Sequence, residues 1–184
     1  CMKTSIIRKE VSGEYKPQLY HTKGYLKYTP ARPDRMALEG LAKTLNAAKR
    51  PVIIAGNGVL ASNKGFELQT LAEKAGIAVA TSYNGKGVIA EISEIAVGML
   101  GTWGMPTANR AVAEADVILM LGASMGPDYT RFRDPAMIRP TEQTLIQVDI
   151  DPRNAGWVYP VDQAITADIK DFLPMLAEIG LSDK

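Results

Sequence analysis

Apolar positions follow two rhythms along this chain, and they divide it into alternating elements. After Pro30 and Pro33, residues Ala37, Leu38, Leu41, Ala42, Leu45 and Ala48 recur at helical spacing. This predicts a helix that starts at Asp34 as N-cap and closes on the basic pair Lys49-Arg50, the charge sign a helix C-terminus favours. Pro51–Gly56 is then a short continuous apolar run, as expected of a strand buried on both faces. Helical spacing returns with Phe66, Leu68, Leu71, Ala72 and Ala75 predicted inward, and Gly76 as C-cap. Further strands are predicted at Ile77–Thr81, near Ile95–Val97, at Asp116–Gly122, at Thr144–Ile150 and near Gln163–Ala167. Pro106 suits the first turn of a helix reaching Ala115. Residues 123–143 read as a long loop with one helical turn. The last helix holds Phe172, Leu173, Met175, Leu176 and Ile179. Asp171 is its expected N-cap, because a start at Asp168 would put Pro174 in the interior at a cost of roughly 3 kcal/mol.

Strands alternating with helices imply an α/β, Rossmann-like, doubly wound parallel sheet of about six strands with helices on both faces. Residues 31–184 form that domain, and residues 1–30 lack any sustained period. Such sheets bind ligands beyond the carboxyl ends of their strands, so the loops after each strand are the ones to inspect.

Composition narrows the chemistry. A single cysteine (Cys1) rules out an internal disulfide and fits a reducing, cytoplasmic setting; the one histidine, His21, lies in the leading segment. Metal centres and catalytic constellations built on His or Cys are therefore not expected in the domain. No apolar run approaches the ~20 residues of a membrane helix, and no signal-peptide core follows the first residues. Charge is uneven: residues 1–50 carry 11 Lys/Arg against 4 Asp/Glu, and residues 51–184 carry 10 against 16. The leading segment also holds Tyr15, Tyr20, Tyr25 and Tyr28 among lysines. Aromatics between cations can bind single-stranded nucleic acid. Without an accompanying motif, an extended connector is the favoured reading, and neither a nucleic acid nor a membrane is expected as partner.

Five strand-end loops carry the candidate site. Gly56-Asn57-Gly58-Val59-Leu60-Ala61 satisfies G-x-G-x-x-G/A directly after a strand, although the following helix is expected only near Ser62–Lys64. Thr81-Ser82-Tyr83-Asn84-Gly85-Lys86-Gly87 offers hydroxyls, an amide and a lysine; Lys86 reads as a surface residue. Gly98 and Met99 open a glycine-spaced stretch, and Gly122-Ala123-Ser124 leaves room after the clearest strand. Asp149-Ile150 and Asp168-Ile169 place a carboxylate at each of two strand ends, where ribose hydroxyls can be accepted. No nucleophile–base pair is evident, so no catalytic residue is assigned. A stand-alone NAD-dependent oxidoreductase domain is the alternative, weakened because the second strand ends at Thr81-Ser82 with no acidic residue for the ribose.

The order of these motifs is distinctive. Ala48-Lys49-Arg50-Pro51-Val52-Ile53-Ile54-Ala55-Gly56-Asn57-Gly58, Gly85-Lys86-Gly87, Gly98-Met99-Leu100-Gly101, Ala108-Asn109-Arg110-Ala111-Val112, Glu114-Ala115-Asp116-Val117-Ile118-Leu119-Met120-Leu121-Gly122 and Gln147-Val148-Asp149-Ile150-Asp151-Pro152 follow in turn. Over about residues 31–180 the chain resembles the central domain of thiamine-diphosphate-dependent enzymes of the acetolactate synthase type, which includes transferases and lyases. The resemblance implies a three-domain protein, homo-oligomeric when full length. Its first domain supplies a glutamate that activates the thiamine ring. Its third supplies a Gly-Asp-Gly motif and an Asn that hold Mg²⁺ and the diphosphate. No Gly-Asp-Gly occurs here. Thiamine diphosphate and Mg²⁺ would thus be bound outside this chain, which is expected to be a piece of a longer protein, inactive alone, with the tyrosine-rich segment as connector. The resemblance also implies FAD, ADP or an empty cleft in this domain. Gly56, Asn57 and Gly58 would lie near the ribityl and phosphates. Thr81, Ser82, Tyr83, Gly98, Met99, Gly122 and Ala123 would line the remaining cleft. Asp149, Ile150, Asp168 and Ile169 would surround the adenosine. Ser124 stands where flavin-binding members often carry arginine, with Arg131 and Arg133 as candidate substitutes.

Overall fold

The computed structural model describes residues 29–183; the predicted connector falls almost wholly outside them. Eleven elements follow the expected alternation: α1 (Arg35–Ala47), β1 (Pro51–Ala55), α2 (Asn57–Ala61), α3 (Gly65–Ala75), β2 (Ala78–Thr81), β3 (Ala96–Met99), α4 (Pro106–Glu114), β4 (Val117–Leu121), β5 (Thr144–Asp149), β6 (Gln163–Thr166) and α5 (Ile169–Ile179). Single 3₁₀ turns lie at Tyr83–Gly85, Pro127–Thr130 and Pro152–Asn154. The strands form one sheet in the order β3-β2-β1-β4-β5-β6, with every pairing parallel. The order reverses between β1 and β4, making their carboxyl ends the switch point where doubly wound sheets hold ligands.

The sheet lies between two apolar layers because the central strands bury both faces. Ile53, Ala55, Leu119, Leu121, Ile146 and Val148 join α1, α2, α3 and α5 in one core. Their strand neighbours Val52, Ile54, Ile118, Met120 and Leu145 point the other way, against α4 and the segments carrying Met125, Met137, Ile138 and Tyr159. One face is thus covered by four helices and the other by one helix with loops.

Several helix ends follow local chemistry. Asp34 caps α1 by accepting from the Ala37 amide, 3.2 Å. Gly76 closes α3 in the left-handed region at φ 59°, and Pro106 sits in the first turn of α4.

Four expectations are corrected. Lys49 and Arg50 lie beyond α1, which ends at Ala47; their backbone amides donate to the Asp116 carboxylate at 2.7 and 2.9 Å. Phe66 is 80% exposed. At 100° per residue it stands about 200° round the helix from Leu68, opposite the buried stripe of Leu68, Leu71, Ala72 and Ala75. The helix after β1 starts at once, at Asn57, and breaks at Asn63 (φ 55°) before α3 begins. Finally, α5 is capped by Asp168, which accepts from the Lys170 amide at 2.9 Å, and Pro174 stays inside it. Burial of Ile169 together with Phe172 and Leu173 favours the earlier start. The turn that Pro174 breaks faces water, since Lys170 and Pro174 are both exposed and the freed carbonyl can be hydrated.

Candidate functional site

The cleft at the switch point is assembled from strand-end loops. It has a volume of about 870 Å³, within the range of about 300–1,000 Å³ usual for small-molecule sites. Its walls come from four places: Asn57 and Gly58 with Ala61–Lys64 after β1, Gly122 and Ser124 after β4, Asp149, Ile150 and Asn154 after β5, and Asp168–Lys170 after β6. Asn84 reaches it from beyond β2.

The glycines of the first loop are required by the protein itself. A Cβ on Gly56 would stand 2.2 Å from the Gly122 carbonyl oxygen, and one on Gly58 would stand 2.7 Å from Gly122 Cα. Gly122, at φ +55°, would meet Gly58 in return at 2.6 Å. The two loops cross in backbone contact, which only glycine permits. The crossing also consumes donors: Gly56 N–H goes to the Leu121 carbonyl at 2.9 Å, and Gly58 N–H to the Gly122 carbonyl at 3.0 Å. A phosphate cradle needs such amides free.

At the far end, Asp149 is mostly buried. Its Oδ1 accepts from the Asp151 amide (2.9 Å) and from Asn154 Nδ2 (3.1 Å), so the carboxylate is held in a fixed orientation. Ile150 beside it is 42% exposed, an apolar surface at the cleft wall. Asp168 caps α5. The cations of the cleft are Lys64, which pairs with Glu67, and Lys170, which has no ion pair among the described residues. The Lys64 ammonium holds the Glu67 carboxyl below the usual carboxylate range. Just outside the cleft lining, bonding to Arg153 lowers the Asp151 carboxyl to about 2.

The structure brings eight of the expected residues to one cleft: Asn57, Gly58, Gly122, Ser124, Asp149, Ile150, Asp168 and Ile169. Gly56 and Ala123 lie behind it in the loop crossing. Thr81 and Ser82 are 6% and 2% exposed; the Ser82 amide donates to the Ala55 carbonyl, and its hydroxyl accepts from the Gly85 amide. The Tyr83 hydroxyl accepts from the Trp103 amide, 2.8 Å. Gly98 and Met99 belong to edge strand β3. None of these five lines the cleft. Lys86 is paired with Glu91, Arg131 with Asp134, and Arg133 stacks over Tyr159, all away from it.

Missed by sequence reasoning were Lys64, Asn84, Asn154 and Lys170, with the Ala61–Asn63 turn. Lys170 was signalled by its adjacency to Asp168-Ile169, Asn84 by its place as the amide of the second loop and Ala61 as the last position of the G-x-G-x-x-G/A pattern; Ser62, Asn63, Lys64 and Asn154 carry no pattern of their own. Gln147 was also overlooked. Buried in β5, it donates to the Ala123 carbonyl (3.3 Å) and accepts from the Gly156 amide (3.1 Å), tying together two loops near the cleft. Among the described residues no group of His, Cys, Asp and Glu could hold a metal ion, and no helix is long and apolar enough to cross a membrane.

Comparison with known proteins agrees with this architecture. The probable acetolactate synthase large subunit of Methanocaldococcus jannaschii is 36% identical over 165 residues, 88% of this chain and 27% of that protein. Acetolactate synthase isozyme 1 large subunit of Escherichia coli is 35% identical over 76% of this chain and 24% of its own length. The sulfoacetaldehyde acetyltransferase of Alcaligenes xylosoxydans xylosoxydans is 34% identical over 77% and 24%. The chain spans about a quarter of the length of these relatives. The family described as thiamine pyrophosphate enzyme, central domain, matches residues 38–176, from the first buried turn of α1 to the last of α5. The matched span contains the whole six-stranded sheet and both apolar layers, and the chain belongs to that family.

Proposed function

We propose that this chain is the central, non-catalytic domain of a carboligase or decarboxylase of the acetolactate synthase type, and that its cleft holds an adenosine diphosphate group. Thiamine diphosphate and Mg²⁺ would be held by the flanking domains of the same polypeptide, in a cytoplasmic homo-oligomer. The observation that carries the nucleotide reading is the pair of strand-end carboxylates, Asp149 and Asp168, across one cleft at the switch point. Both can accept ribose hydroxyls. Ile150 provides the apolar surface for adenine, and Lys170 offers the positive charge for phosphate. With Gly56 and Gly58 N–H already used, little of the phosphate grip comes from the first loop.

The same geometry favours ADP, or another adenosine diphosphate ester, over FAD. FAD would supply a redox-active isoalloxazine. Of the residues that the resemblance implied for the remaining cleft, Thr81, Ser82, Gly98 and Met99 are buried in hydrogen-bonded turns or built into the sheet and do not line it, which leaves less lining for such a ring. The NAD-dependent alternative loses support for a related reason: β2 ends in buried Thr81 and Ser82, with no carboxylate for a ribose.

Titration calorimetry of the 184-residue protein with ADP tests this. Saturable binding is expected, weakened about tenfold in Asp149→Ala. Addition of FAD should leave no bound chromophore at about 450 nm. Saturable NADH binding, or turnover of a 2-oxo acid by this chain alone, would overturn the reading.

A further inference from the structure

The face of the sheet that lacks helices carries an unexplained surface. Trp103 is 78% exposed, Met105 54% and Phe132 69%. They come from two loops, one after β3 and one after β4, that share a surface groove of about 360 Å³. The groove is lined by Gly104, Pro106, Arg110, Arg131 and Met137, with others, so the three exposed side chains are chain neighbours of its walls.

The loops are braced. The Thr102 amide donates to the Asp128 carbonyl at 3.0 Å. Asn109 clasps Gly101 in both directions, at 2.8 and 3.0 Å. Tyr83 and Tyr129 meet edge to face, with ring centroids 5.0 Å apart. Beyond them, Arg131, Phe132 and Arg133 all adopt left-handed backbone, φ 50°, 59° and 63°, a conformation that costs L-residues roughly 1–2 kcal/mol each. It is held by the Phe132 amide on the Pro127 carbonyl (2.8 Å), the Arg133 amide on Thr130 Oγ1 (3.2 Å) and the Arg133 guanidinium over the Tyr159 ring. The outcome is an aromatic ring fixed toward water.

Large aromatic side chains on a rigid frame lose little freedom when covered, and they act as interface anchors. The cations at the groove, Arg110 and Arg131, are already paired with Glu114 and Asp134, so an anion is a poor match and an apolar surface a good one. Position selects the occupant. α1 runs antiparallel to the strands: its C-terminal end meets Asp116 at the amino edge of the sheet, and its N-terminal end points toward the carboxyl edge. The polypeptide before residue 29 therefore approaches the edge that bears Trp103 and Phe132. The polypeptide after Asp183 leaves from the amino edge, where the Ser182 amide bonds to Asn46.

We propose that Trp103, Met105 and Phe132 form the docking surface for the domain that precedes this one in the full-length polypeptide, which covers them with apolar side chains. This inference rests on the reading of the chain as a central domain. The test uses the full-length protein carrying a photo-reactive benzoylphenylalanine at Trp103 or, separately, at Phe132. Cross-links mapped to polypeptide preceding residue 1 are the expected result. Cross-links to residues after 184, to a second copy or to other proteins, or none at all, would overturn it. Hydroxyl-radical footprinting of the unmodified protein gives an independent readout: oxidation of Trp103 and Phe132 should fall about fivefold from the 184-residue chain to the full-length protein, with exposed Phe66 as reference. Equal rates would also overturn it. Thiamine-diphosphate-dependent turnover of a 2-oxo acid by the unmodified full-length protein separates the two ideas. Turnover without these cross-links defeats the docking surface alone, and cross-links without turnover defeat the functional reading alone.

Discussion

The two faces of the sheet are built by different means. On one, α1, α2, α3 and α5 lay apolar stripes against Ile53, Leu119, Ile146 and Val148, and the layer includes fully buried Leu38, Leu41, Leu68 and Phe172. On the other, α4 contributes Ala108 and Val112, and the rest of the cover comes from Met125, Met137, Ile138 and Tyr159 on irregular segments. Helices bring their own backbone hydrogen bonds to the core. Their ends do not, and at the C-terminal end of α4 the loop before β5 supplies the donors: Gln143 donates to the carbonyls of Val112 and Ala115, and Arg139 to that of Ala113. A face assembled this way carries strained residues and leaves aromatics in water.

Substitutions on each side sharpen this contrast. Phe172→Ala on the helical face should have the largest effect, about 3–5 kcal/mol in denaturant unfolding, because packed helices cannot collapse into the void. An equal loss from Met137→Ala would show that the loop face is packed just as tightly; a smaller one is expected, since methionine fills irregular gaps that neighbours can close. Where the β1 and β4 loops cross, Gly122→Ala should cost about 2 kcal/mol or more, combining a left-handed penalty with a backbone overlap, and should also weaken ADP binding.

Asp116 joins the turn before β1 to the start of β4. Burial opposes its ionisation, but the amides of Lys49, Arg50, Asp116 and Val117 outweigh this and hold its carboxyl below the usual range. Its stabilising contribution is therefore complete above the unfolded value of about 3.9 and disappears as pH falls through the lower folded value. Asp116→Ala should lose about 1–2 kcal/mol at neutral pH, and the loss relative to wild type should shrink in unfolding curves measured below about pH 3.

The smallest effect is expected at Tyr159. Its buried hydroxyl has no partner of hydrogen-bonding geometry among the described residues, although Thr130 stands nearby, and burial pushes its ionisation upward. Tyr159→Phe should be neutral or stabilising by less than about 1 kcal/mol in thermal unfolding. A marked loss would mean that the loop face is organised around that hydroxyl.

The helical face was legible because α1, α3 and α5 follow one period, and strands buried on both sides read as unbroken apolar runs. The loop face was not, since Met125, Met137 and Tyr159 obey no period and join the core only through long-range contact. The candidate site divides in the same way. Asp149 and Asp168 were marked by their position at strand ends. Thr81, Ser82, Gly98 and Met99 carried the same local marks, but they sit in buried turns or in the sheet and do not line the cleft.

From its residues alone, this chain determined the succession of its strands and helices, their parallel direction and the carboxylates at two strand ends, because these depend on local pattern and on the handedness of parallel connections. Tertiary structure alone decided that the glycines of the first loop serve a crossing of two backbones, that α5 begins at Asp168 despite Pro174, and that Trp103 and Phe132 face water together. Each of those outcomes depends on which atoms distant segments bring within contact, and no one-dimensional period encodes that.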